Sequence, residues 1–141
     1  MIAIVARLIA QSYRSRGERT GSRRSASERT VRQRREIARD AREFCLRHSN
    51  QPLGLEDIAA AVGTSRFHLC RVFRAFNGSA IHQYLTELRL RASLERVCDP
   101  RRPLARVALE VGFSSQSHFT TSFVRRFSRT WAAFRREVKR G

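Results

Sequence analysis

Large apolar residues are nearly missing from residues 12–32, and from about Val31 onward they recur at helical spacing. Ile37, Ala41, Phe44, Cys45 and His48 fall on one helix face, which predicts a first helix ending near Arg47. Asn50-Gln51-Pro52 breaks it. A second helix opens at Gly54 or Leu55, carries Glu56 and Asp57 at the positive end of its dipole, and buries Ile58, Ala59 and Val62. Gly63 ends it, since a left-handed residue there costs glycine nothing sterically. Ser65 suits the N-cap of a third helix whose apolar positions are Phe67, Leu69, Val72, Phe73 and Phe76, with Asn77-Gly78 as its stop. A long helix follows over about 80–97, with a stripe of Ile81, Tyr84 or Leu85, Leu88, Ala92 and Val97. After the turn 99–103 come a helix over 104–111, the Gly112 turn, and a helix from Ser115 to about Phe127. A last helix after Thr130 holds Trp131 and Phe134. No alternating stretch is long enough for a strand, so the expectation is an all-α, seven-helix fold.

The same pattern occurs twice. Residues 58–73 read I-A-A-A-V-G-T-S-R-F-H-L-C-R-V-F, and residues 107–123 read V-A-L-E-V-G-F-S-S-Q-S-H-F-T-T-S-F. Up to the glycine the two align at an offset of 49: Ile58 with Val107, Ala59 with Ala108, Val62 with Val111, Gly63 with Gly112. Beyond it the offset is 50: Ser65 with Ser115, Leu69 with Phe119, Phe73 with Phe123, Tyr84 with Phe134. The second turn therefore holds one extra residue. Two glycine-centred helix-turn-helix units, over about 55–76 and 104–127, are joined by the long helix.

Charge changes the picture next. Among 141 residues, 29 are basic and 12 acidic, a net charge of +17. Only Lys139 is a lysine, a skew that a GC-rich genome would produce, but codon bias does not explain the surplus of base over acid. A polyanionic partner does. Residues 1–36 carry ten arginines against three acids and form a basic front segment expected to be flexible, either an idle tail or a non-specific DNA clamp. Cys45, Cys70 and Cys98 are too far apart for metal-ligand or redox pairs and read as thiols of a reducing cytoplasm. The first ten residues are apolar but short and interrupted by Arg7, which fits neither a membrane span nor a signal peptide.

A recognition helix needs exposed groups near its N-terminus and an apolar anchor behind them. In the first unit Leu69, Val72 and Phe73 anchor, while Arg66, Phe67, Cys70, Arg71 and Arg74 fall largely on the other side. Arginine matches the two acceptors of guanine in the major groove. In the second unit Phe119 and Phe123 anchor, and Gln116, Ser117, His118, Thr120 and Thr121 face outward. Gln116 suits adenine, Ser117, His118 and Thr121 suit bases or phosphates, and Arg125 and Arg126 suit phosphates. The plain alternative for any one of these is a solvated helix face. It is the pairing of both faces with a repeated A-x-x-x-G turn that favours DNA reading.

These residues resemble a known family. From about residue 38 to 136 the chain is similar to the DNA-binding domain of AraC/XylS-type transcription regulators. The likeness lies in L-E-D-I-A-A-A-V-G-T-S-R-F-H-L-C-R-V-F-R, in Y-L-T-E-L-R-L-R-A, and in V-A-L-E-V-G-F-S-S-Q-S-H-F-T-T-S-F. The resemblance implies a seven-helix domain whose two recognition helices enter successive major grooves on one DNA face. It implies base contacts from Arg66, Phe67, Cys70 and Arg71, then from Gln116, Ser117, His118 and Thr121. The chain departs from the family where Gly54, Ala80 and Pro103 stand at expected caps, and where Ser128, Trp131 and Phe134 replace glycine, proline and tyrosine. A serine held left-handed costs on the order of 1 kcal/mol more than glycine. The family's usual ligand-binding domain is not seen before residue 38, so the chain reads either as a stand-alone binder or as the C-terminal piece of a longer regulator.

The expected partner is double-stranded DNA, with RNA polymerase a second candidate and neither a membrane nor a small-molecule effector site in view. A basic scaffold coating DNA or RNA without sequence choice is the rival. His48, His68, His82 and His118 are dispersed, and no phosphate loop, nucleophile elbow or metal-ligand cluster occurs, so neither an enzyme nor a metal or other cofactor is expected.

Overall fold

The computed structural model describes residues 23–141, and among them seven helices and no strands. They are α1 (Arg23–His48), α2 (Leu55–Ala61), α3 (Arg66–Asn77), α4 (Ile81–Cys98), α5 (Leu104–Glu110), α6 (Gln116–Phe127) and α7 (Trp131–Arg140). The chain divides into two compact units. The first holds residues up to Arg47 together with Leu53–His82, and the second holds His48–Pro52 with Gln83–Gly141.

In the first unit, α1 buries Ala38, Ala41, Phe44 and Cys45, α2 buries Ile58, Ala59 and Ala61, and α3 buries Leu69, Val72 and Phe73. Gly54 has no side chain to cap α2. Asp57 reaches back instead, and its carboxylate accepts from the Gly54 N–H at 2.9 Å. This satisfies one donor at the helix start, where the dipole also favours the charge.

The second core comprises Leu90, Val97, Leu104, Val107, Ala108, Val111, Phe113, Phe119 and Phe123, with Leu94, Phe127, Trp131 and Phe134 packed against it. Its rings meet edge-on or tilted, as in Phe113 with Phe119 at 5.3 Å and Phe123 with Phe127 at 4.7 Å. That geometry sets positive ring edges against negative ring faces. Arg135 ties α7 to the end of α4. It donates to the Val97 carbonyl at 2.6 Å while its guanidinium lies over Trp131.

Two expectations need correction. Residues 23–36, assigned to the flexible front segment, are helical, because α1 starts at Arg23 rather than near Val31. Apolar periodicity reports burial, and a helix of arginine, glutamate, glutamine and alanine continues without it. The rest of that segment, including the apolar start of the chain, lies outside the described residues. In α4 the stripe is different: Leu88 is half-buried and Ala92 exposed, while Leu90, Ser93 and Val97 are buried beside Ile81 and Leu85. At 100° per residue the buried face turns by roughly 130° between the two ends of α4. Ile81 belongs to the first unit, whereas Leu90 and Val97 belong to the core of the second. Ser93 is tolerated there because its hydroxyl donates to the Leu90 carbonyl at 2.6 Å.

Candidate nucleic-acid interface

Both turns are built alike. At the end of α2 the Thr64 N–H returns to the Ala59 carbonyl at 3.0 Å, around Gly63 at φ 69°. At the end of α5 the Phe113 N–H returns to the Ala108 carbonyl at 2.9 Å, around Gly112 at φ 102°. Both close the last helical turn through a left-handed residue. The extra residue, Ser114, falls after this closure and leaves it intact. The next helix starts alike in both units. Ser65 Oγ accepts from the His68 N–H, and Ser115 Oγ from the His118 N–H, each at 3.2 Å.

The second turn is more tightly held. Phe113 is buried and meets the His118 ring edge-on at 5.1 Å, so it plugs the core and positions the start of α6. Arg89 of α4 donates to the Ser49 carbonyl at 2.7 Å and to the Gln51 carbonyl at 2.9 Å. Gly112 packs against the same Ser49 carbonyl, where an added Cβ would lie 2.4 Å from that oxygen and 2.7 Å from Arg89 Nε. Neither Phe113 nor Arg89 stood out in the sequence, because both act through contacts with residues distant in the chain.

On α3, Arg66, Phe67, Cys70, Arg71 and Arg74 span an arc of about 140°, opposite Leu69, Val72 and Phe73. All but the half-buried Cys70 are exposed. Phe67 is 77% exposed, on the outward side that its spacing predicts. Arg66 lies against it at 5.0 Å and pairs with Glu56 of α2 at 3.0 Å. Arg71 Nη2 approaches His68 Nδ1 at 3.5 Å. The face thus offers an aromatic ring flanked by guanidinium groups, one of them braced by a carboxylate.

On α6, Gln116, Ser117, His118, Thr121 and Arg125 are all exposed, and Thr120 is half-buried. Ser117, His118, Thr121 and Arg125 group within about 100° of arc, while Gln116 sits at one edge beside the buried line of Phe123. At the offset of 50, Arg74 corresponds to Val124, which is 40% exposed, and Arg125 to Ala75. The second face is therefore less basic at its centre. Arg126, expected for a phosphate, is exposed and paired within the unit. It donates to Glu87 of α4 at 2.5 Å, and Glu87 also pairs with Arg91 at 2.9 Å. The hydrogen bond from Arg126 is the main cause holding the Glu87 carboxyl below its usual range.

A family model described as a helix-turn-helix domain matches residues 58–137. The transcriptional regulator Rob of Salmonella typhimurium is 39% identical over 100 residues, covering 71% of this chain. A transcriptional regulator from Chromobacterium violaceum with an AraC-type DNA-binding domain superposes with a TM-score of 0.64 at 28% identity, over 73% of this chain and 92% of that one. The chain belongs to the AraC-type helix-turn-helix family. Its fold is that of an AraC-type DNA-binding domain. The DNA-binding domain of AdpA, solved in complex with a target DNA, is also similar, with a TM-score of 0.63 at 27% identity over 71% of this chain and 90% of that one. The chain spans only about 35% of the length of Rob. Among its described residues no helix is long and apolar enough to cross a membrane, and no group of His, Cys, Asp or Glu is arranged to hold a metal ion.

Proposed function

We propose that this AraC-type domain is a sequence-specific DNA-binding transcription regulator that sets α3 and α6 into successive major grooves. The observation that carries the reading is Phe67, an aromatic ring left 77% exposed on a capped helix beside Arg71 and Arg74. A single exposed ring is ordinary on a helix face, but this one is flanked by guanidinium groups, and the C5-methyl of thymine gives such a ring an apolar contact in the major groove. Arg66 and Arg71 flank it for guanine or phosphate, with Cys70 between them. On α6, Gln116, Ser117, His118 and Thr121 are the reading groups, and Arg125 takes a phosphate. The similarity to AdpA, whose related domain was solved on DNA, supports the assignment. Such a regulator works in the cytoplasm at promoters, where RNA polymerase is its natural second partner.

The test is selection of bound duplexes from a random pool, followed by affinities for the selected and a scrambled duplex at one fixed salt concentration. A specific regulator prefers the selected site by about 10³ or more. Equal affinity for both would leave only a basic coat protein.

A further inference from the structure

Beyond the two helix-turn-helix units, residues 26–36 of α1 lie outside the core. Ala38, Ala41 and Cys45 form a buried line at spacings of three and four. One turn earlier the same line carries Arg34, and before it Val31 and Ser27, all exposed. The line leaves the core at that point. Every residue from 26 to 36 is exposed, on all sides of the helix. Residues 23–36 would reach about 21 Å at 1.5 Å per residue. They carry six arginines (Arg23, Arg24, Arg29, Arg32, Arg34 and Arg35) against Glu28 and Glu36.

A helix polar all round and packed on nothing is marginal by itself. Some of its groups are engaged locally: Arg29 donates to the Ser25 carbonyl at 3.1 Å, and Thr30 to the Ala26 carbonyl at 2.8 Å. No salt bridge among the described residues ties down Arg32, Arg34 or Arg35. Arg29, Arg32 and Arg35 recur every third residue, about 4.5 Å apart along the axis. A DNA strand presents one phosphate per about 3.4 Å of its own axis. The two spacings differ, but charge sign and exposure suit a phosphate backbone and give little purchase to an apolar partner.

We propose that residues 26–36 are a DNA-docking arm that lies on phosphates outside the site read by α3 and α6. The proposal rests on the reading above, that the units bind duplex DNA, and adds an attachment outside them. Since the arm touches phosphates only, it lengthens the footprint and strengthens binding to every sequence alike.

The test uses the full chain and a variant with Arg32→Gln, Arg34→Gln and Arg35→Gln. Every phosphate that is no longer neutralised flattens the dependence of log affinity on log salt by about 0.9, so the slope should fall by about 2 to 3. The footprint should shorten at one edge, and the ratio of specific to random affinity should hold. In the parent chain, amide hydrogen exchange within residues 26–36 should slow when a duplex binds. The opposite variant, Glu28→Gln with Glu36→Gln, should tighten binding to random DNA. An unchanged slope together with unchanged exchange would overturn the arm. So would exchange that slows with protein concentration and not with DNA, since a second copy would then be the occupant. If the parent fails to discriminate sequences but the arm variant still changes the slope, the reading of specific function fails and the arm stands.

Discussion

Replacing Gly112 by alanine tests how α6 is held in place, and Gly78 supplies the control. Both residues have positive φ, 102° and 74°. A side chain in that region costs roughly 1–2 kcal/mol. At Gly78 the added Cβ would meet nothing within 4 Å, so backbone strain is the whole effect. At Gly112 the Cβ would stand 2.4 Å from the Ser49 carbonyl and 2.7 Å from Arg89 Nε. Relief requires moving the backbone carbonyl that accepts from Arg89, and so loosening a half-buried charged hydrogen bond of about 1.5–3 kcal/mol. Gly78→Ala should therefore cost about 1 kcal/mol, and Gly112→Ala about 3 kcal/mol or more. For a unit of this size that separates their melting temperatures by roughly 10 °C. Urea unfolding followed by far-ultraviolet circular dichroism measures both, and the Gly112 loss should appear in the second unit. On DNA, Gly112→Ala should weaken contacts from α6 and spare those from α3. Equal costs for the two substitutions would refute the close approach of Ser49 and Arg89.

The remaining predictions concern reading and pH. Arg71→Ala should cost about 1–3 kcal/mol at a cognate duplex and relax preference at one or two base pairs, as binding to a panel of single-base variants would show. Gln116→Ala or His118→Ala should cost less, because the face of α6 is less basic at its centre. Inserting about 5 base pairs, half a helical turn, between the two half-sites should reduce affinity to that of a single half-site, and unchanged binding would leave α6 a packing element. Glu87 is held below its usual carboxyl range chiefly by Arg126. A lowered folded-state value means its contribution is present above the unfolded-state value and is lost as pH falls through the folded one. Glu87→Gln should therefore flatten the acid limb of a stability–pH profile and leave the neutral region nearly level. An acid limb identical to the parent's would show that the pair with Arg126 carries no stability.

The sequence alone determined the order of helices, the duplication and the two outward faces of α3 and α6. Each rests on local rules: Gly63 and Gly112 end helices because of their own backbone freedom, Ser65 and Ser115 cap within three residues, and Leu69 or Phe119 recurs at the helical period. Arg66, Phe67, Arg71 and Ser117 were legible as outward-facing for the same reason, since the angle between residues on one helix follows from their spacing. Tertiary structure decided the rest. Thr64 and Phe113 close equivalent turns, yet Phe113 is buried and plugs the second core against Phe119 and His118. Arg125 and Arg126 are neighbours of identical character, and Glu87, 39 residues earlier than Arg126 in the chain, takes one of them. The buried stripe of α4 changes face part-way because Ile81 and Leu90 belong to different units. α1 outruns its own apolar pattern. Periodicity records what a helix packs against, and it falls silent where arginine-rich helix continues beyond the core that anchors it.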